Sequence, residues 1–195
     1  MRTEQDGVLA GRKVVHARED VRFDGRGVRI VAISDTHGRP HPNLGERIDE
    51  LSPDLILHAG DVGELGIVRL LEKRARVIAV RGNVDERDLP DLVTIELSND
   101  SGAAVRILMT HVALVGLKLW ADVRRIARAE GASLVVCGHT HVPFVGRDGD
   151  IAVFNPGSVG PCRFLLPIVI GVIEVRDRDV SMRHVDCETG APWVP

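Results

Sequence analysis

From Val28 onward the chain alternates short apolar runs with amphipathic stretches, and the spacing of the apolar positions sets the expected elements. Val28-Arg29-Ile30-Val31-Ala32-Ile33 is bounded, apolar and mostly β-branched, which predicts a buried strand. Pro42 to Leu51 carries Leu44, Ile48 and Leu51 at helical spacing, so one face of a short helix is apolar. Leu55 to His58 reads as a strand, Glu64 to Ala75 as a helix with Ile67, Leu70 and Leu71 inward, and Val77 to Val80 as a further strand. Such alternation implies right-handed crossovers and a largely parallel sheet, whose ligands bind at the carboxyl ends of the strands.

The middle follows another pattern. Val93 to Leu97 and Val105 to Met109 flank Asn99-Asp100-Ser101-Gly102, a turn signal that predicts an antiparallel hairpin. Trp120 to Glu130 is an amphipathic helix with Val123, Ile126 and Ala127 as its stripe and Gly131 as the C-terminal stop. Ser133 to Cys137, Ile151 to Phe154, Ile168 to Val175 and Val180 to His184 read as strands. Strands joined both with and without helices predict two stacked sheets with helices outside. Residues 1–27 are polar and rich in Arg, Asp and Gly, and read as an extension with at most a strand at Lys13 to His16.

Length and composition narrow the classes. The 195 residues suit one domain, and 27% charged with 44% hydrophobic residues is ordinary for a soluble globular chain. A net charge of −3 argues against a module that binds nucleic acid by neutralising its backbone. Cys137, Cys162 and Cys187 are too few and too scattered for a disulfide framework. The N-terminus lacks the apolar run of a signal peptide. The longest apolar stretch, Phe164 to Val175, is broken by Pro167, Gly171 and Glu174 and is too short to span a bilayer, so no membrane contact and a cytoplasmic location are expected.

Candidate chemistry lies at the strand ends. Asp35-x-His37, Gly60-Asp61, Gly82-Asn83, Thr110-His111 and Gly138-His139-x-His141 almost all follow an apolar run. In extended backbone, residues two apart point the same way, so Asp35 with His37 and His139 with His141 can each address one metal centre. The seven oxygen and nitrogen donors suit two metal ions better than one. With no thiolate among them they fit Mn²⁺, Fe²⁺, Zn²⁺ or Ni²⁺. Two divalent ions held by two carboxylates, one amide and four neutral imidazoles retain about two positive charges, which attracts a phosphodiester anion. Each motif alone is weak: Asp-x-His is often chance, and Gly-Asp is an ordinary turn. Joint occurrence in this order carries the reading.

The series Asp35-x-His37, Gly60-Asp61, Gly82-Asn83, His111 and Gly138-His139-x-His141 resembles the calcineurin-like metallophosphoesterase superfamily. His58-Ala59-Gly60-Asp61 and Asn155-Pro156-Gly157-Ser158 are similar to its small bacterial and archaeal phosphodiesterase branch. The resemblance implies an α/β (α+β) fold, a four-layer αββα sandwich of two mixed sheets flanked by helices, occupying residues 28–195. It implies that Asp35, His37 and His141 hold one metal and Asn83, His111 and His139 the other, with Asp61 bridging. Mn is the first-choice metal. Asp61 and His111 would serve catalysis through a bridging hydroxide that attacks phosphorus in line, and Asn83 and His139 would also contact substrate. Many members carry a His after the Asn of the third motif, thought to stabilise the transition state or protonate the leaving oxygen; here that place is Val84. The small phosphodiesterase branch commonly lacks it too. The expected substrate is a small phosphoester, nucleotide-like esters included, with no stable nucleic-acid binding. A homo-oligomer is open to the apolar strand Ile168 to Ile173 if that strand lies at a sheet edge.

Several residues have simpler readings. His58 is expected to be a buried, hydrogen-bonded support rather than a ligand. His41 is expected in a solvated loop, and His16 and His184 to be structural or exposed. Asp85 should satisfy local backbone donors. Asn155 to Ser158 should form a rigid turn beneath the metal loops, since no base partners Ser158. Arg81 and Arg163 are read as surface cations. The alternative function is a catalytically weak or inactive interaction scaffold of the same fold, like the retromer subunit that also lacks the His. The intact ligand series favours the enzyme.

Overall fold

The computed structural model describes residues 2–9, 11–102, 104–163 and 165–194. Met1, and Phe164 at the start of the longest apolar stretch, lie outside the described residues. In chain order the strands are β1 (Arg2–Leu9), β2 (Arg12–Phe23), β3 (Val28–Ile33), β4 (Leu55–His58), β5 (Arg76–Ala79), β6 (Leu92–Asn99), β7 (Ala104–Thr110), β8 (Leu114–Val115), β9 (Lys118–Leu119), β10 (Leu134–Val136), β11 (Phe144–Asp148), β12 (Ile151–Asn155), β13 (Val169–Arg176), β14 (Asp179–Asp186) and β15 (Pro192–Trp193). The helices are α1 (Leu44–Leu51), α2 (Leu65–Glu72) and α3 (Ala121–Ala129). One sheet runs β1-β2-β6-β7-β10-β12-β11 and the other β15-β14-β13-β3-β4-β5; both mix parallel and antiparallel pairs.

The inner strands are mostly apolar because both of their faces are covered, with exceptions such as Arg29 of β3 and His58 of β4 near strand ends. Ile30 and Ala32 of β3 face the core between the sheets, while Val31 and Ile33 face the layer of α1 and α2. In the other sheet Leu134 and Val136 of β10 face the inter-sheet core, and Val135 packs with Val123 and Ala127 of α3. This is the four-layer arrangement expected from the sequence. The predicted β6–β7 hairpin forms in antiparallel register, Ser98 opposite Ala104 through Leu92 opposite Thr110. Gly131 follows the end of α3 with φ +67°, a left-handed stop.

Three expectations need correction. The polar start of the chain forms a hairpin instead of at most a strand at Lys13 to His16: β2 extends well beyond those residues and pairs in parallel with β6 from His16–Leu92 to Phe23–Asn99. Ala17 and Val21 reach the inter-sheet core, and Arg18 pairs with Glu130 at 2.6 Å on the other face. A single apolar stripe among charges hides such a strand from a reading of apolar runs. Leu70 of α2 faces solvent, because the short helix buries only Ile67 and Leu71. The apolar strand near residue 170 is not at an edge, since β13 lies hydrogen-bonded between β14 and β3; a dimer through it is closed off. Among the described residues, no helix is long and apolar enough to cross a membrane.

Candidate metal centre

Register places the loops. Ile33, His58 and Ala79 end the neighbouring parallel strands β3, β4 and β5 in step, so the Asp35, Asp61 and Asn83 loops leave side by side. In the other sheet Met109, Val136 and Phe154 are level in the parallel strands β7, β10 and β12, which sends out the His111, His139–His141 and Asn155 loops. Backbone bonds tie the loops within each set, Asp35 N–H donating to Gly60 O at 2.9 Å and Gly138 N–H to His111 O at 3.0 Å, and His139 N–H joins the two sets by donating to Asp35 Oδ2 at 3.2 Å.

The donors converge, but not through the pleat of an extended strand. Asp35, His37, Asp61, His139 and His141 have φ of 57°, 47°, 53°, 71° and 60°. A left-handed backbone at non-glycine residues is costly, and five of seven such residues among those described belong to this site. The same-side rule for residues two apart therefore does not apply; tight turns turn these side chains inward. The neighbouring glycines make room for them. A Cβ on Gly82 would stand 2.2 Å from Asp61 N, and one on Gly138 would stand 1.9 Å from Ser34 Oγ.

His37 Nε2 faces His141 Nε2 at 3.3 Å, with the rings stacked at 5.3 Å between centroids. His141 Nε2 is 3.2 Å from Asp35 Oδ1, and Asp61 lies between two histidines, 3.7 Å from His37 Nε2 and 3.4 Å from His111 Nε2. Donor atoms of Asp35, His37 and His141, and of Asp35, Asp61 and His111, each fall within 4.8 Å of one another. His111 donates from Nδ1 to Ala59 O at 2.8 Å, which fixes its tautomer and turns the Nε2 lone pair toward Asp61. Asp35 Oδ1, His111 Nε2 and His141 Nδ1 are buried without hydrogen-bond partners. Opposed imidazole nitrogens and orphaned carboxylate oxygen around one small space fit a divalent cation. His139 and Asn83 are exposed at the rim; the His139 ring stands edge-on to His111 at 5.3 Å.

Charge follows from these contacts. Burial raises the Asp61 pKa, but the His111 imidazole, its Nε2 3.4 Å from the carboxylate, outweighs it and holds the carboxyl far below its usual range. Burial depresses His111, yet the Asp61 carboxylate, which can accept from the protonated ring, and the negative charges of Asp35 and Asp61 leave it raised on balance. For His37 and His139 burial dominates and lowers the pKa.

The supporting residues sort themselves by what they touch. His58 is fully buried, bonds Thr36 Oγ1 through Nε2 at 3.0 Å, and is depressed to about 4 by burial. Asn155 donates to Gly138 O at 2.9 Å and Thr140 Oγ1 at 3.1 Å, while Ser158 Oγ donates to Asp35 O at 3.2 Å, so this turn underpins both ligand loops. His16 bonds Thr94 Oγ1 and His184 bonds Asn155 O, both at 2.8 Å in the interior. His41 Nδ1 accepts from Asn43 N–H ahead of α1. Arg81 is held by Asp91. Two residues do more than their sequence context suggests. Asp85 accepts from Val62, Gly63 and Gly82 N–H at 3.1, 2.7 and 2.7 Å, tying the Asp61 loop to the Asn83 loop. Arg163 places a guanidinium nitrogen 3.1 Å from His37 Nε2. The Gly82 bond is the local role expected of Asp85, but its bonds to Val62 and Gly63, like the contact of Arg163 with His37, join segments far apart in the chain and leave no local signal.

Comparison with known proteins gives consistent findings. A calcineurin-like phosphoesterase superfamily domain matches residues 28–178. A probable metallophosphoesterase of Methanocaldococcus jannaschii is 36% identical over 135 residues, 66% of this chain and 67% of that protein. Phosphodiesterase YfcE of Escherichia coli is 35% identical over 95 residues, 47% of this chain and 48% of its own. Vacuolar Protein Sorting 29 of Cryptosporidium parvum superposes with TM-score 0.69 at 19% identity, covering 87% of this chain and 96% of that one, a likeness of fold alone.

Proposed function

Since the chain belongs to the calcineurin-like phosphoesterase superfamily, we propose that it is a metal-dependent phosphodiesterase of small phosphoesters, nucleotide-like ones included. The observation that carries this reading is the convergence of Asp35, His37, Asp61, His111 and His141 with buried, unpartnered donor atoms. In this proposal Asp35, His37 and His141 hold one divalent ion, Asn83, His111 and His139 a second, and Asp61 serves both; Mn²⁺ is the first candidate, with Fe²⁺, Zn²⁺ or Ni²⁺ also suited to oxygen and imidazole donors. Two such ions supply Lewis acidity that activates water for in-line attack and neutralises charge on the phosphoryl group. The chain's part is to fix the donors: Ala59 O orients His111, Asp85 ties the Asp61 and Asn83 loops, and the Asn155–Ser158 turn supports the others. Metal analysis of the purified protein and hydrolysis of bis(4-nitrophenyl) phosphate test it. Turnover should depend on added Mn²⁺; equal rates with metal and with chelator would refute the proposal and favour the scaffold.

Proton competition gives a pH signature. A raised pKa means that His111 keeps its proton to higher pH than a free imidazole, and a metal must displace that proton. Mn²⁺ affinity measured by calorimetry should therefore fall by about tenfold per pH unit below the His111 pKa. A flat affinity from pH 8 to 5.5 would show that His111 is not a ligand.

Val84 predicts a substrate preference. Its N–H donates to Asp61 Oδ1 at 3.1 Å, while its side chain is 53% exposed at the rim and transfers no proton. Missing general acid catalysis costs roughly 10²–10⁴-fold, and the cost falls on poor leaving groups. Nitrophenyl diesters should outrun alkyl diesters, and Val84→His should narrow the gap by at least about tenfold. Equal rates for the two ester classes in the wild type would remove this explanation.

A further inference from the structure

We propose that Arg163 binds a non-ester oxygen of the substrate phosphate, an assignment that rests on the phosphoesterase reading above. The loop that carries it is anchored. Ser158 Oγ donates to Asp35 O, Val159 N–H donates to Ser34 O at 3.2 Å, and a Cβ on Gly160 would lie 2.1 Å from Asp35 O. The return leg is tied by Val169 N–H to Ser158 O at 3.3 Å, and Leu166 N–H closes a turn on Arg163 O at 3.2 Å. Arg163 is thus delivered to the metal loops by a closed loop packed on Asp35.

Its contact there is unusual for a surface cation. Among the described residues Arg163 pairs with no carboxylate; its guanidinium nitrogen meets His37 Nε2 at 3.1 Å. A guanidinium only donates, so His37 offers it the lone pair that a metal ion would also use. The two cannot share that pair. When a metal takes His37, the donors of Arg163 are released at the mouth of a site that gathers anions. A phosphoryl oxygen matches a guanidinium fork in both charge and shape.

Calorimetry separates the parts: Mn²⁺ titrated into metal-free protein, then inorganic phosphate into the Mn²⁺-loaded protein. Arg163→Ala should weaken phosphate binding by about 10–100-fold, as loss of a charge-assisted hydrogen bond does. Arg163→Lys should lie between, and Mn²⁺ affinity should hold or tighten in both variants. Unchanged phosphate affinity in Arg163→Ala would overturn the assignment, as would weakened Mn²⁺ binding, which marks a structural role. A wild type that takes up no Mn²⁺ would fail the phosphoesterase reading itself, and Arg163 with it.

Discussion

Asp61→Ala is expected to lower Mn²⁺-dependent kcat/KM on bis(4-nitrophenyl) phosphate by about three orders of magnitude, the scale set by several kcal/mol of lost charge stabilisation. Its carboxylate stands 3.7 Å from His37 and 3.4 Å from His111, reaching both halves of the donor cluster. His111 holds it ionised against its burial, so the negative charge is present throughout the useful pH range. Removing it leaves opposed imidazoles with less charge to hold cations. Asp61→Asn keeps an acceptor for Val84 N–H but not the charge, and should fall nearly as far. Circular dichroism and Tm on each variant separate loss of site from loss of fold. If Asp61→Ala kept more than a tenth of wild-type activity, the carboxylate would not be central to the chemistry.

Asp85→Ala should be the most damaging change outside the donor set. Three backbone N–H groups on two loops converge on this carboxylate, and the alanine leaves all three without it. At about 1 kcal/mol each, allowing for partial exposure, the loss is about 3 kcal/mol. For a chain of this size that lowers Tm by roughly 6–12 °C. The loosened Asp61 loop should also weaken Mn²⁺ binding by about 10–100-fold, as happens when the support of a ligand is lost. Asp85→Asn retains one acceptor oxygen and should show about half the effect. A Tm within 2 °C of wild type, or about that figure, would mean that water replaces the carboxylate at no cost.

Much of the architecture was legible because inner strands covered on both faces are mostly apolar, as in β3, β4 and β10. The donor loops were legible for a related reason: polar residues such as Asp35 and His111 directly after an apolar strand have little reason to be there structurally. What escaped were features decided by distant partners. Strand β2 alternates charges with Ala17 and Val21, and only docking on β6 makes it a strand. Asp85 looks like a local turn residue until the Asp61 loop arrives beside it. The left-handed conformations at five donors were hidden as well, because Asp and His, though enriched in that region, adopt other backbones far more often.

The placement of β13 bears on how the chain can be made. Strand β3 leaves the ribosome well before β13, residues Val169–Arg176, yet it is flanked by β4 on one side and by β13 on the other. Until synthesis passes Arg176, one edge of β3 keeps its backbone groups open beside an apolar face. That is the condition in which strands pair with the wrong chain. A nascent chain stalled short of this point is therefore a target for chaperones, and truncations ending before β13 should be recovered as aggregates rather than as smaller folded domains.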